Sequence, residues 1–179
     1  MGWKKLSEKY LFDDPPWLKI REDKLMAPNG NIKESYYVFE YPDWANTIAL
    51  TTDGKFVMVR QYRHGIGKSS YELSAGVCEK GETPLVSAQR ELLEETGYSG
   101  GNWSHWMSNS ANPSTHDNLV HCYIATNVVK THDQNLDPTE DISVHLLTFG
   151  EVLELLKNDK IIQALHASAL WKYVALKQN

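Results

Sequence analysis

The segment Gly76–Tyr98, GVCEKGETPLVSAQRELLEETGY, constrains the fold more than any other stretch of this chain. Thr83 is a suitable helix N-cap, and Pro84 suits the first helical position because the N–H it lacks would have no helical partner there. Apolar side chains then recur at helical spacing and would face a core. These side chains are Leu85, Ala88 and Leu92. Gly97 is suited to end the helix in the left-handed conformation, so the segment predicts one amphipathic helix.

Three carboxylates lie close together on this predicted helix. Glu91, Glu94 and Glu95 are three or four residues apart or adjacent, which crowds them on one side that we expect to be exposed. Crowded carboxylates repel one another, and a cation relieves that repulsion. Oxygen ligands of this kind suit a hard ion such as Mg²⁺ or Mn²⁺. The alternative is a solvated acidic face on a surface helix.

The whole segment resembles the Nudix box, G-x5-E-x7-R-E-U-x-E-E-x-G-U, in which U is a bulky apolar residue. The matching positions are Gly76, Glu82, Arg90, Glu91, Leu92, Glu94, Glu95, Gly97 and Tyr98. So many specified positions at fixed spacing rarely match by chance. The resemblance covers most of the chain from about residue 44 onward. It implies an α/β (α+β) fold, an α/β/α sandwich around a mixed sheet.

Length and charge limit the other possibilities. The chain has 179 residues, enough for one domain with a small extension. A net charge of −5 argues against a nucleic-acid partner, although a metal could offset the phosphate charge of a nucleotide. No apolar run suggests a membrane segment or a signal sequence. Two cysteines, Cys78 and Cys122, without metal-ligand spacing lead us to expect a cytoplasmic protein.

Residues 1–43 predict a small N-terminal antiparallel sheet that is rich in aromatic residues. The Asp14–Pro16 run breaks any helix before it, Pro28–Asn31 is a turn signal, and Glu34–Glu40 reads as a strand. A similar sheet builds the homodimer in the sugar-nucleotide branch of the Nudix family, so the resemblance implies a homodimer. The alternative is a sheet that only covers the main core. Residues 44–179 would form the Nudix domain.

Strands and helices alternate through that second region. Two apolar runs, 46–51 and 56–62, flank Asp53-Gly54 and predict a hairpin. The stretch 71–76 predicts one strand running into the box. Further strands are predicted at 103–108, 119–126 and 142–147, with helices at 151–158 and about 161–177. This mixture of strands and helices agrees with a layered α/β or α+β architecture.

Two short stretches resemble the ADP-ribose pyrophosphatase branch, whose pattern is Q-(Y/F)-R…E-(L/F)-P-A-G. This chain has QYR at 61–63 and ELSAG at 72–76, with Ser74 in place of the proline. Arg63 matches a position that contacts substrate phosphate or ribose, and its guanidinium suits bidentate phosphate binding. Otherwise it is a surface arginine paired with a carboxylate. Glu72 is expected either to pair with Arg63 or to bind substrate.

Pro113 stands 16 residues after Gly97, where a proline marks the ADP-ribose pyrophosphatases of the family. The resemblance therefore implies a place for Pro113 on the substrate side of the site. The alternative is an ordinary loop proline. The following residues, Ser114–Asn118, depart from the branch's usual G-F-S-(D/S)-E, which leaves the terminal sugar open.

The resemblance also implies a metal site. Glu91 and Glu95 would be the main ligands, joined by the backbone carbonyl of Ala75. Glu94 would bind a second ion or lie just outside the first shell of ligands. Glu82 would contact metal through water or cap its loop.

Two more residues are expected to serve catalysis. Arg90 would hold the glutamates by ion pairing rather than touch substrate. The long polar loop 130–141 precedes a strand where the branch carries a general base, and Glu140 is its only glutamate. Asp137 and Asp141 are rival candidates. A base on such a loop can approach once substrate has bound.

These residues together predict a metal-dependent pyrophosphohydrolase acting on ADP-ribose or a related nucleoside diphosphate sugar. The products would be a nucleoside monophosphate and a sugar phosphate. Two alternatives remain: a Nudix-fold module that binds nucleotide sugars without turnover, and a hydrolase for another nucleoside diphosphate derivative. Binding modules commonly lose box glutamates, and none is lost here.

Overall fold

The structure is a computed structural model that describes residues 2–15 and 18–177. Pro16, part of the predicted helix break, lies outside the described residues. The chain divides into two compact units, one of Met1–Pro42 with Ser110–Leu119 and one of Asp43–Asn109 with Val120–Asn179. No helix in the described ranges is long and apolar enough to cross a membrane.

The first unit contains the predicted antiparallel sheet. Its strands are β1 (Lys4–Asp14), β2 (Leu18–Met26) and β3 (Ile32–Glu40), hydrogen-bonded in the order β1-β2-β3. All residues of β1 are exposed. The segment Ser110–Leu119 attaches to β3, where the Phe39 amide donates to the Thr115 carbonyl across 2.7 Å.

The second unit is built on a mixed sheet. Within the described residues, its central order is β11-β5-β4-β10-β8, with β6 beside β5, β7 beside β4 and β9 beside β10. The strands are β4 (Trp44–Thr51), β5 (Phe56–Arg63), β6 (Lys68–Glu72), β7 (Ser74–Val77), β8 (Tyr98–Ser99), β9 (Asn102–Asn109), β10 (Val120–Lys130) and β11 (Ile142–Leu147). The predicted hairpin is confirmed, since β4 and β5 pair antiparallel. In contrast, β4 and β10 pair in parallel.

In the part of the chain that the structure describes, α-helices cover the two faces of this sheet: α1 (Pro84–Thr96), α2 (Phe149–Lys157) and α3 (Ala164–Lys177). Successive side chains of a strand point to opposite faces. Ile48 of β4 accordingly packs in a core cluster with residues of α2 and α3, such as Leu170. Its neighbour Ala49 packs in a second cluster with Leu92 of α1. The predicted α/β/α layering is confirmed.

One predicted strand is wrong as a single element. The stretch 71–76 belongs to two strands, because the chain crosses at Leu73 from the neighbour of β5 to the neighbour of β4. Leu73 is fully buried at this crossing. Helix α3 also begins later than expected. The Tyr71 amide donates to the Lys160 carbonyl, and the Ile162 amide donates to Ser70 Oγ. The segment 160–162 therefore hydrogen-bonds to β6 instead of forming the first turn of α3.

Candidate active site

Helix α1 carries the box glutamates, and local contacts fix its ends. Thr83 Oγ1 accepts a hydrogen bond from the Val86 amide, and Pro84 is the first helical residue. Gly97 ends the helix with φ +75°. A side chain at Gly97 would also overlap the carbonyl oxygen of His132. The helix is therefore present as predicted, and its ends set which faces Arg90 and the glutamates occupy.

Arg90 of α1 donates hydrogen bonds to three glutamates and to one backbone carbonyl. Its Nε donates to Glu82 Oε1 at 3.1 Å, and its Nη1 donates to Glu91 Oε1 at 2.8 Å and to Glu94 Oε2 at 3.0 Å. Its Nη2 donates to the Val77 carbonyl at 2.9 Å. The hydrogen bonds from Arg90 and Ser87 lower the pKa of Glu82 to about 2. The guanidinium thus fixes the geometry of this acidic cluster.

Glu95 lies inside the protein, which corrects the expectation of an exposed face. It is 4 % exposed, and its Oε2 accepts a hydrogen bond from the Ala75 amide at 3.1 Å. The reason is that its side of α1 packs against β7. Among the described residues no ion pair neutralises it. Burial is the main cause that raises the pKa of Glu95 to about 8.

The Glu91 carboxylate lies against the backbone of Gly76. A methyl group added at Gly76 would overlap Glu91 Oε1, so only glycine leaves room for the carboxylate there. Burial raises the pKa of Glu91, and the charges of Glu94 and Glu140 add to this against the opposing effect of Arg90. Glu91 and Glu95 therefore lie against adjacent backbone residues, Glu91 against Gly76 and Glu95 against Ala75.

Arg63, at the end of β5, forms an ion pair with Glu72 of β6. Arg63 Nε donates to Glu72 Oε1 at 3.0 Å, and Nη2 donates to Oε2 at 2.6 Å. Of the two roles expected for Glu72, the structure contains the pairing with Arg63. Burial alone would raise the pKa of Glu72, but hydrogen bonds from His166 and Arg63 lower it to about 2.

A cavity of about 590 Å³ lies beside these groups. Arg63, Glu72, Ala75 and Gly76 all line it, so the arginine and the backbone beside the glutamates border the same cavity. The other lining side chains are mostly apolar, among them Trp44, Ile66, Val77, Val120, Ile162 and Leu165. An apolar cavity with a few convergent polar groups is the usual form of a small-molecule site.

Of the predicted site residues, Arg63, Glu72 and Ala75 line this cavity. The others lie outside its lining: Glu82, Arg90, Glu91, Glu94, Glu95, Pro113 and Glu140. Glu140 is exposed, and its Oε2 accepts from the Asp137 amide at 3.0 Å within a tight turn. Its charge nevertheless contributes to the raised pKa of Glu91 and of Glu95, which places it within electrostatic range of both. Pro113 belongs to the Ser110–Leu119 segment of the first unit.

His166 and Gln163 were missed by sequence reasoning. Both line the cavity, and His166 Nε2 lies 3.4 Å from Glu72 Oε2. A single histidine in an amphipathic helix matches no catalytic spacing, so no sequence signal could have singled it out. Only the packing of α3 beside β6 reveals its neighbours.

Comparison with known families decides where the chain belongs. The model of the NUDIX domain matches residues 42–167. The chain belongs to the Nudix family. A second model, the nucleoside diphosphate sugar hydrolase N-terminal domain, matches residues 3–39 of this Nudix protein.

Two relatives match most of the chain. The chain is 35 % identical over 162 residues to the methanol dehydrogenase activator of Bacillus methanolicus, covering 90 % of this chain and 86 % of the relative. It is 32 % identical over 152 residues to the ADP-ribose pyrophosphatase of Bacillus subtilis, covering 84 % and 81 %. The protein is thus a Nudix hydrolase that resembles ADP-ribose pyrophosphatases.

A solved structure confirms the Nudix fold. The crystal structure of an ADP compounds hydrolase superposes with a TM-score of 0.85, covering 99 % of this chain and 95 % of that one at 18 % sequence identity. At that identity, the likeness is one of fold.

Nudix hydrolases generally require divalent metal ions, and the residues of this site fit such an ion. Glu95 is a buried carboxylate that no ion pair among the described residues neutralises, and Glu91 lies against Gly76, next to the residue that binds Glu95. Within the described ranges no three His, Cys, Asp or Glu side chains gather as a ready ligand set. The fit therefore rests on two carboxylates and nearby backbone oxygens, which are hard donors.

Proposed function

We propose that this Nudix hydrolase cleaves the pyrophosphate bond of ADP-ribose or a related nucleoside diphosphate sugar, releasing a nucleoside monophosphate and a sugar phosphate. One observation carries the proposal. The cationic side chain of Arg63 lines the same cavity as Ala75 and Gly76, against which the carboxylates of Glu95 and Glu91 lie. The cavity would therefore offer a phosphate-binding cation together with a site for a divalent ion.

Glu91, Glu95 and the carbonyl of Ala75 would hold the ion, with Mg²⁺ as the first candidate and Mn²⁺ as the second. Glu94 and Glu82 would support the same site from the surrounding acidic cluster. Such an ion, when bound, neutralises phosphate charge and makes a bound water more acidic. Arg90 would keep the glutamates oriented through its present ion pairs.

Arg63 would bind a phosphate oxygen of the substrate. Its Nε and Nη2 already donate to Glu72, which holds the guanidinium in one orientation, and no hydrogen bond within the described residues uses Nη1. The mostly apolar walls of the cavity would exclude bulk water from this charged contact. Pro113 is proposed to belong to the substrate side of the site, on the family resemblance alone.

Glu140 would accept the proton of the attacking water. The water oxygen forms a bond to one phosphorus, the bridging P–O bond breaks, and the leaving phosphate departs with the bonding electron pair. Glu140 is exposed on a loop and within electrostatic range of Glu91 and Glu95, which suits a group that approaches after substrate binds.

The relatives support the substrate class. The Bacillus subtilis relative is named an ADP-ribose pyrophosphatase, and the N-terminal model is named for nucleoside diphosphate sugar hydrolases. We propose in addition a homodimer formed through the first unit and a cytoplasmic location, the latter because both cysteines are free thiols.

A substrate panel tests this function. Purified protein with Mg²⁺ or Mn²⁺ is incubated with ADP-ribose, other nucleoside diphosphate sugars, nucleoside triphosphates and dinucleoside polyphosphates, and the products are separated by chromatography. We expect ADP-ribose to yield AMP and ribose phosphate faster than any triphosphate is cleaved. A preference for a triphosphate or a dinucleoside polyphosphate would contradict the substrate class. Binding without turnover of any compound would favour the sensor module.

A further inference from the structure

We propose that His166 of α3 is a positioning residue for substrate binding: it holds Glu72, and through Glu72 it orients the guanidinium of Arg63 at the cavity. This inference rests on the proposed function, because it explains how Arg63, the proposed phosphate-binding residue, is oriented. The three residues come from three elements. Arg63 ends β5, Glu72 ends β6, and His166 lies in the first turn of α3.

The contacts of His166 place its Nε2 beside two oxygen atoms. It is 1 % exposed, and its Nε2 lies 2.7 Å from Gln163 Oε1 and 3.4 Å from Glu72 Oε2. Both neighbours are acceptors, so Nε2 carries a hydrogen. Gln163 Oε1 has the short hydrogen bond, and Glu72 Oε2 lies within ion-pair distance of the same nitrogen. The ring of His166 is therefore held by Gln163 with its Nε2 in contact with Glu72.

Glu72 needs that donor because it is completely buried. Its exposed fraction is 0 %, and its Oε1 accepts from Arg63 Nε. Its Oε2 accepts from Arg63 Nη2, lies 3.4 Å from Gln61 Nε2, and has His166 Nε2 at the same distance. A buried carboxylate is stable only when its oxygens are hydrogen-bonded and its charge is paired. His166 supplies part of that stabilisation from a different layer of the fold.

Arg63 benefits from this arrangement. Its side chain is 42 % exposed and lines the cavity, yet the two bonds to Glu72 fix its plane. A long side chain that is already oriented loses less conformational freedom when it binds a ligand. Loss of His166 should loosen Glu72 and then Arg63. The consequence is weaker binding of an anionic substrate rather than a slower chemical step.

Steady-state kinetics on ADP-ribose with Mg²⁺ test the role of His166. His166→Phe keeps a planar ring but removes the donor, and we expect the KM to rise roughly tenfold, the effect of one lost hydrogen bond, with kcat within about twofold. His166→Gln keeps an N–H donor and should restore most of the KM. Tyr173→Phe, a substitution elsewhere on α3, is the matched control and should behave as wild type. A wild-type KM for His166→Phe would overturn the proposal.

A double-mutant cycle separates positioning from general packing. If His166 acts through Arg63, then His166→Phe should change the KM less than about twofold in an Arg63→Ala background. A full tenfold effect in that background would overturn the proposal. Gln163→Met removes the hydrogen bond that holds the His166 ring in place. It should raise the KM in the same direction by a smaller factor, which keeps the test decisive should His166→Phe not fold.

Failure of the proposed function would be recognised separately. If the wild-type protein hydrolyses none of the panel, the proposed reaction is wrong. The inference is then tested by calorimetric titration with ADP-ribose. The same roughly tenfold weakening of the Kd is expected for His166→Phe and the same recovery for His166→Gln. Equal Kd values for wild type and His166→Phe would overturn it.

Discussion

The amide of Ala75 donates a hydrogen bond to Glu95 Oε2 across 3.1 Å, and this bond ties a strand to a buried carboxylate of α1. Glu95 therefore cannot be treated as a surface charge. Its ionised form is disfavoured by burial until a cation arrives, so ion binding, proton binding and stability are coupled at one side chain.

The stability of the metal-free protein should fall as the pH rises. The pKa of Glu95 is about 8 in the folded state, against 4.5 for a free glutamate side chain. Between these values the folded state binds the extra proton, so stability decreases with pH by up to roughly 1 kcal/mol per pH unit. Thermal melts in EDTA from pH 5 to pH 8 measure this. Glu95→Gln should flatten the profile, whereas Glu154→Gln, at an exposed site on α2, should leave it unchanged.

Removing either main carboxylate should abolish most turnover. Glu91→Gln and Glu95→Gln each delete a charged ligand, so kcat should fall by orders of magnitude at saturating Mg²⁺. Glu95→Gln should also stabilise the metal-free protein at pH 8, because it removes a buried charge. Near-normal turnover in either variant, with circular dichroism unchanged, would show that the ligand assignment is wrong.

Glu140→Gln should lower kcat by roughly 10²-fold with little change in KM, the usual contribution of a positioned base. Asp137→Asn and Asp141→Asn provide matched loop variants. The assignment holds if only Glu140→Gln loses turnover. Wild-type kcat in Glu140→Gln would transfer the role to one of the two aspartates or to a box glutamate.

Two glycine substitutions should affect different properties, one the activity and the other the stability. In Gly76→Ala the added methyl meets the flexible carboxylate end of Glu91, so activity should fall while the melting temperature changes little. In Gly97→Ala the methyl meets the His132 backbone, and φ is +75°. The second variant should lose at least about 1 kcal/mol of stability. Parallel assays of turnover and thermal unfolding compare the pair.

The full chain should sediment as a dimer at micromolar concentration. The observation behind this is that large apolar and aromatic side chains are exposed on β1, among them Tyr10 and Phe12, and that Trp3 just before β1 is exposed too. Aromatic side chains are enriched at protein interfaces. Phe12→Asp should shift the protein toward the monomer, and Trp171→Asp, at an exposed site on α3, should leave it dimeric. A monomeric wild-type chain would remove the proposal.

Local chemistry explains which parts of the structure were predictable. The caps of α1 at Thr83 and Gly97 depend on neighbouring residues, and the hairpin at Asp53-Gly54 depends on its turn, so the sequence contains the required signal. The break at Leu73 has no such signal, because an unbroken apolar alternation reads as one strand. The stretch is divided because its first part pairs with β5 and its second part pairs with β4.

The same distinction applies to the site. The spacing of the box placed Glu91 and Glu95 on α1, but it could not show which of them lies beneath β7. The burial of Glu95 depends on the approach of a strand, and the contact between His166 and Glu72 depends on the docking of α3. Both are consequences of tertiary packing, which residue spacing alone does not encode.

The parallel pairing of β4 with β10 has a consequence for how the molecule is made. These strands are far apart in the sequence, and the chain between them carries β7 and α1. Contacts between distant segments form slowly, because a long loop must close before they contribute stability. A ribosome-bound chain that has not yet exposed Val120 lacks the central partner of β4. The enzyme should therefore acquire its ion-binding capacity late in synthesis, after β10 has emerged and docked.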